Sequence, residues 1–384
     1  MKVFVIGGIA ESLTNFRGNL LRQILARGHC VFSAASETTD DIRTALASLG
    51  VVHQDIPLQR AGINPLLDTK TLYLLIKLLR SVRPHLLLTY TVKPVIYGSI
   101  AAMATEIDRV YSMITGLGYS FCDDNPRRRA VGLICRLLYQ LCLRRNSAVF
   151  FQNPDDLLFF CERRLVPGTC KTVQINGSGV DLDHYSLSPL PTEPSFLLIG
   201  RLLTDKGIRE YVSAARVIKQ KYPHTIFRLV GGVDENPASI SRRELQEWID
   251  EHVVEYLGIL RDVRPAIAAS AVYVLPSYRE GLPRSVLEAM AMGRPIITTN
   301  APGCRETVRC DNGHELARTG QAMTQGGNGF LVPTRDANTL AHAMEQFIIR
   351  PDLIRTMGMV SREYAVEKFD VHKVNEVILR TMGL

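Results

Sequence analysis

Residues 276–288 read Pro276-Ser277-Tyr278-Arg279-Glu280-Gly281-Leu282-Pro283-Arg284-Ser285-Val286-Leu287-Glu288. The apolar run Ala271–Leu275 ahead of them has the length of a buried strand, and Ser285–Met292 has helical periodicity. The stretch is therefore a strand, a loop and a helix in succession. Backbone N–H groups near Pro283–Ser285 lie at the start of the helix, where they and the helix dipole favour an anion. Glu280 on the loop can accept hydrogen bonds from a polyol beside that anion. Glu288, about a turn and a half into the helix, can reach a second diol. A sugar, a diphosphate and a ribose satisfy all three features; a solvated acidic pair on an ordinary helix is the plain alternative.

The same grammar recurs upstream in Ile199-Gly200-Arg201-Leu202-Leu203-Thr204-Asp205-Lys206-Gly207, again between a strand (Phe196–Ile199) and a helix (Gly207–Lys221). Arg201 and Lys206 are cations at a strand's carboxyl end, suited to neutralising a leaving diphosphate. A surface cation at a helix start is the alternative, although the dipole disfavours it. Ile226–Val230 and Pro295–Thr298 add further strands. The first half alternates in the same way. Val3–Ile6, Cys30–Ala35, Val51–Ile56 and Leu86–Tyr90 read as strands, with helices over Asn15–Arg27, Asp40–Leu49 and Leu66–Arg80. Such alternation predicts α/β architecture with doubly wound parallel sheets. Leu187–Pro194 holds three prolines in eight residues and marks a boundary. The expected domains are 1–188, 189–368 and a closing segment 369–384, with ligands in a cleft between two sheets.

The chain has 384 residues, enough for two domains, with 46% apolar and 22% charged residues, which excludes disordered and fibrous classes. The net charge of +7 sits almost wholly in the first half: residues 1–190 hold 21 Lys and Arg against 15 acids, and the remainder 24 against 23. A nucleic-acid-binding protein is the obvious reading of basicity, but the clustered arginines lack interleaved aromatics and no nucleic-acid fold motif is present. The eight cysteines include no C-x-x-C pair and read as small buried hydrophobes. Met1–Gly8 lacks the long apolar region of a signal peptide, and no window of 18 apolar residues occurs.

Glu280-Gly281-Leu282-Pro283-Arg284-Ser285-Val286-Leu287-Glu288 resembles the E-x7-E signature of the family 4 retaining glycosyltransferases, and Gly200–Gly207 resembles their diphosphate clamp. Val230-Gly231-Gly232, Leu257-Gly258 with Arg261-Asp262, and Asn328–Pro333 fit the same order, so the likeness spans nearly the whole second half. The resemblance implies a GT-B fold, two Rossmann-like domains facing a central cleft. It implies a UDP-sugar donor, retention of anomeric configuration, and no divalent metal or other cofactor. Glu280 would touch the donor sugar; Arg201 and Lys206 would hold the diphosphate. Glu288 would hold the ribose, and main chain near Gly258 and Arg261 would face the base. Gly281, Leu282, Pro283, Arg284 and Ser285 would complete the nucleotide site, with Gly8 approaching from the first half. The closing helix, Val371–Met382, would cross back to the first domain.

Ser12–Arg17, Tyr90–Pro94, Ile114–Tyr119 and Asp234–Pro237 narrow the likeness to enzymes that add an N-acetylhexosamine or related sugar to an undecaprenyl-diphosphate-linked saccharide, the bacillosamine-directed α-1,3-N-acetylgalactosaminyltransferases among them. Asn15, Arg17, Lys93, Thr115 and Gly116 are the acceptor candidates, Lys93 and Arg17 as partners for the lipid diphosphate. Gly7, Gly8, Gly116 and Gly118 would let backbone approach a ligand. Many family members carry a histidine near the reacting sugar; here Thr115-Gly116-Leu117-Gly118 stands in that place, and no acceptor-side base is evident.

Pro126–Arg145 holds six arginines and no acid beside a Leu, Ile and Tyr face, a basic amphipathic helix suited to an anionic membrane. A peripheral position on the cytoplasmic face of a bacterial inner membrane follows as the expectation. Asp181-Leu182-Asp183 spells a metal signature of a different glycosyltransferase fold but sits at a structural turn. Residues 309–326 exceed the family pattern and read as an extra surface loop. The alternatives within enzymes are a GT-B nucleotide-sugar epimerase or phosphorylase, or a transferase acting on a soluble or different lipid acceptor.

Overall fold

A computed structural model describes residues 1–59, 64–117, 126–234, 236, 238–310 and 323–384, with the backbone alone over 126–131. The chain forms two units, Met1–Ser178 with Val374–Leu384, and Gly179–Lys373.

In the first unit, strands β1 (Lys2–Ile9), β2 (Cys30–Ser36), β3 (Val52–Asp55), β4 (Leu86–Tyr90), β5 (Val110–Ile114), β6 (Ala148–Phe151) and β7 (Lys171–Gln174) build one parallel sheet in the order β3-β2-β1-β4-β5-β6-β7. Helices α1 (Glu11–Asn15), α2 (Gly18–Ala26), α3 (Asp40–Ser48), α4 (Pro65–Val82), α5 (Val92–Ala104), α6 (Pro126–Cys142) and α7 (Pro154–Glu162) connect them. Right-handed crossovers put α1–α3 on one face and α4–α7 on the other, because the strand order reverses between β1 and β4. The pleat of β1 divides accordingly: Val3 and Val5 join the core that includes Leu20 and Ile24 of α2, and Phe4 and Ile6 join the core that includes Leu75 and Leu79 of α4.

The expected single helix over Asn15–Arg27 is broken at Phe16-Arg17, where Arg17 turns its guanidinium inward over the Tyr90 ring, 5.1 Å from its centre. On β2 and β3, Ser33 Oγ lies 2.8 Å from His53 Nδ1 and Thr38 Oγ1 2.9 Å from Nε2. Burial holds His53 below its ordinary pKa although Asp55 opposes the shift. A depressed histidine contributes stability above its unfolded value, about 6.5, that is lost as pH falls towards the folded value. The resistance of the first unit to urea should therefore fall as pH drops below about 6.5, and His53→Gln should flatten that dependence. An unchanged slope in His53→Gln contradicts this assignment.

In the second unit, β8 (Ser195–Ile199), β9 (Ile226–Val230), β10 (Glu255–Tyr256), β11 (Val272–Leu275), β12 (Ile296–Thr299), β13 (Thr324–Gly326) and β14 (Gly329–Val332) form a sheet ordered β10-β9-β8-β11-β12-β14-β13. It is parallel except for β13, which pairs antiparallel with β14. Its helices are α8 (Ile208–Lys221), α9 (Arg242–Asp250), α10 (Arg264–Ala268), α11 (Arg284–Ala291), α12 (Ala337–Ile349) and α13 (Asp352–Lys368); α14 (Val371–Met382) closes the chain. The order again reverses between the first strand, β8, and β11, so both signature stretches leave the sheet at one switch point.

Two further sequence expectations change. The junction falls at Ser178-Gly179 and not at 188–189, because the proline-bearing strap is bound to the second unit. Arg294, almost fully buried, donates to the carbonyls of Ser188, Pro189, Ile267, Ala268 and Met292 and to Ser188 Oγ, at 2.7–3.1 Å. The extra segment 309–326 is not wholly loop: its end is the edge strand β13, while 311–322 lie outside the described residues. From Val374 onward α14 belongs to the first unit, with Val374, Ile378, Leu379 and Met382 in the core built on Val3 and Val5.

Candidate active site

β8 runs into a short 3-10 turn, Thr204–Lys206, and β11 runs into the 276–283 loop. Gly207, at φ +70°, lets the two approach, since a Cβ there would collide with the Pro276 carbonyl. Asp205 then fastens the loop: its carbonyl accepts from Tyr278 N–H at 2.8 Å and from Ser277 Oγ at 3.0 Å. Glu280 N–H donates to Pro302 O at 3.0 Å, and Gly303 leaves room for the Glu280 carbonyl.

These contacts bring Lys206 Nζ onto Glu280 Oε1 as an ion pair, with side chains 18% and 14% exposed. Ser277 Oγ lies 2.7 Å from the same carboxylate oxygen. The pair is partly desolvated, so its attraction is stronger than that of a surface ion pair, yet it remains open to competition from a bound anion. Cys304 lies behind it, its thiol pushed up to about 12 by burial and by the Glu280 charge. Arg201 is bound to Asp234 at 2.9 Å and is nearly half exposed.

Glu288 is buried one helix face deeper. Arg284 Nε donates to it at 2.9 Å and Tyr185 hydrogen-bonds it. Burial lifts its carboxyl above the usual range, and Arg284 and Tyr185 oppose that shift. Leu282 is core, Pro283 occupies the cap position of α11, and Ser285 Oγ donates to Ile199 O at 3.3 Å. Gly281 lies on the loop itself. Gly258, at φ +70°, accepts from Gly231 N–H at 2.9 Å, and Ile259 beside it is 80% exposed; Arg261 follows on the surface. The second unit thus gathers Arg201, Lys206, Glu280, Glu288 and the Gly258 turn on the carboxyl side of one sheet.

In the first unit the acceptor candidates scatter more. Arg17 is buried against Tyr90, whose hydroxyl lies 2.7 Å from Ser12 Oγ. Gly7 makes room for the Tyr90 side chain, and Gly8 sits against Thr91 Oγ1, so their freedom serves packing. Lys93 donates to Asp68 at 2.9 Å with both largely shielded, which ties it to α4. Asn15 donates to Glu11 at 3.1 Å on the surface. Thr115 and Gly116 follow β5 at partial exposure, Gly116 at φ +123°; Gly118 and Tyr119 lie outside the described residues. Asp181 accepts from the N–H groups of Asp183 and His184, the bonds of a structural turn. Sequence reasoning missed Tyr185, Ser277 and Asp234. Ser277 stood within the quoted stretch; Tyr185 lies about a hundred residues from the carboxylate it binds and carried no local signal.

Residues 193–349 match the glycosyl transferases group 1 family. The chain is 27% identical over 322 residues to the N,N'-diacetylbacillosaminyl-diphospho-undecaprenol alpha-1,3-N-acetylgalactosaminyltransferase of Campylobacter jejuni, covering 80% of this chain and 83% of that enzyme. It is 23% identical to the UDP-Gal:alpha-D-GlcNAc-diphosphoundecaprenol alpha-1,3-galactosyltransferase of Escherichia coli, over 83% and 80% of the two chains. Among solved structures, HepE of Anabaena in complex with UDP-glucose superposes with a TM-score of 0.77 at 18% identity, over 100% and 99% of the chains. Its two mostly parallel α/β sheets and these neighbours give the chain the GT-B fold. The chain is therefore a hexose-transferring glycosyltransferase built around a glycosyl transferases group 1 domain at residues 193–349.

Proposed function

We propose that the enzyme moves a sugar, an N-acetylhexosamine, from a UDP-sugar to an undecaprenyl-diphosphate-linked saccharide in bacterial surface-glycan assembly. The observation that carries the donor half is the Lys206–Glu280 pair at the switch point, with Glu288 on the next helix. Support for the donor and acceptor comes from the printed activities of the C. jejuni and E. coli relatives and from the UDP complexes of the Anabaena neighbour.

A diphosphate arriving at Lys206 competes with Glu280 for the ammonium. The freed carboxylate, still held by Ser277, then accepts hydrogen bonds from donor-sugar hydroxyls. Arg201 leaves Asp234 for the same diphosphate. The acceptor oxygen bonds to the anomeric carbon on the face from which UDP departs. The C–O bond to phosphate breaks, and the departing phosphate oxygen takes the acceptor proton, giving retention. Charge on the leaving UDP is met by Lys206, Arg201 and the N–H groups at Pro283–Ser285, so this route needs no divalent metal. Tyr185 and Arg284 hold Glu288 for the ribose, with main chain at Gly258–Arg261 facing the base. Asn15, Arg17, Thr115 and Gly116 remain the acceptor candidates of the first unit; Lys93 would have to leave Asp68 to join them. A peripheral position on the cytoplasmic face of the inner membrane, through 126–145, suits an acceptor that stays in the bilayer.

Incubating a panel of UDP-sugars with short-chain polyprenyl-diphosphate saccharides tests the reading. Transfer is expected with acceptor and no change of the sugar without it; epimerised sugar in the acceptor-free control contradicts it. Tyr185→Phe should raise KM for the UDP-sugar several-fold with kcat nearly unchanged. A fall in kcat at constant KM would remove Tyr185 from nucleotide binding.

A further inference from the structure

The basic charge of the first unit is concentrated on three helices of one layer, α4–α6; α7 of the same face carries Asp155, Asp156 and Glu162 and no Lys or Arg. α4, α5, α6 and the 3-10 turn Leu143–Arg145 hold ten Lys and Arg and one acid, Asp68, which is already bound by Lys93. The opposite layer, α1–α3, carries Arg22 and Arg43 against Glu11, Asp40 and Asp41. The crossovers place α4, α5 and α6 side by side on the same face of the sheet, with α5 largely buried in the middle. Both flanking helices turn apolar side chains to solvent. On α6, Leu133, Leu137 and Leu141 recur at four-residue spacing beside Ile134, each at least half exposed. On α4, Leu66 and Tyr73 stand two turns apart at 86% and 64% exposure, alternating with exposed Lys70, Lys77 and Arg80. Arg144 and Arg145 are exposed where α6 ends.

We infer that α4 and α6 together form a two-footed docking surface for an anionic phospholipid bilayer, with Tyr73 and the Leu133–Leu141 stripe entering the interface and the cations meeting the headgroups. An apolar stripe rimmed by cations is what such an interface requires. Charge complementarity selects this occupant: a second copy would set two faces of the same strong positive charge against each other, and nucleic acid would gain nothing from the leucine stripe. The sequence alone pointed to one helix; the fold adds α4 and a defined face. The inference deepens the peripheral-membrane reading above and rests on it for the source of the lipid. Its test needs no sugar transfer.

The full chain is floated with vesicles of equal parts phosphatidylcholine and phosphatidylglycerol, and with phosphatidylcholine alone, at physiological ionic strength. Binding to the mixed vesicles only is expected. Tyr73→Glu on α4 and Leu137→Glu on α6 should each weaken partitioning by roughly tenfold or more with melting temperature unchanged, since both positions are already exposed. Turnover of the same variants on a short-chain, water-soluble acceptor should stay near that of the unsubstituted enzyme. Tyr73→Glu binding as the parent does, equal binding to both vesicle types, or a dimer in sedimentation velocity that Leu137→Glu dissolves each overturns the inference. Absence of sugar transfer with vesicle binding intact would instead strike the proposed reaction and leave the docking surface standing.

Discussion

Glu280→Gln and Lys206→Ala each lower turnover by roughly a hundredfold or more, the cost of removing one preorganised charge from a site where charge develops in the transition state. Secondary structure and urea midpoint stay close to the parent values, because both side chains stand at the carboxyl edge of the sheet and outside its cores. The two losses are not additive. Each residue is the other's partner in the free enzyme, so removing one leaves a largely shielded charge that the second substitution relieves. The double variant is therefore expected to lie near the worse single variant, measured as kcat/KM on one UDP-sugar and acceptor. Near-parental turnover in both single variants contradicts the assignment of the site.

Arg294→Ala is the largest expected loss of stability. Its side chain is 1% exposed and serves five carbonyls and one hydroxyl around the 188–189 strap, the end of α10 and the end of α11. Burial lowers its guanidinium to about 10, which still leaves it charged at neutral pH. Truncation orphans those acceptors and opens a cavity of side-chain size, a loss of about 4 kcal/mol or more in urea unfolding of the second unit. Arg294→Lys recovers only part, because an ammonium offers three donors where the planar guanidinium reaches six acceptors from five. A midpoint unchanged in Arg294→Ala contradicts this account of how the strap is held.

The doubly wound architecture was legible because its evidence is local. Leu86–Tyr90 and Ile226–Val230 are apolar runs bounded by helix-period segments, and the structure places strands at those residues. The E-x7-E stretch was legible because strand, loop and helix are contiguous in the chain. What stayed hidden depends on contacts between distant residues. The strap's attachment hangs on Arg294, more than a hundred residues from Ser188, and no proline count shows that. Lys93 looked available from its place after a strand, but Asp68 on the preceding helix takes it. Gly7 looked like space for a ligand and is space for Tyr90. Tyr185 reaches Glu288 only through the folded second unit. The charged face of α4–α6 needed topology: Lys70 and Lys77 on α4 are far in sequence from Arg144 at the end of α6, and they share a layer with it only because the crossovers run the same way.

The central claim is that Lys206 and Glu280 carry a metal-free, configuration-retaining transfer from a UDP-sugar to a polyprenyl-diphosphate saccharide. NMR of the anomeric signal of the product, formed from a UDP-α-sugar and a short-chain acceptor with EDTA present, tests it most directly. An α-linked disaccharide signal that grows with the parent enzyme and is lost in Lys206→Ala and Glu280→Gln is the predicted result. A β-linked product, a reaction that stops on chelation, or near-parental rates in the two variants would contradict it.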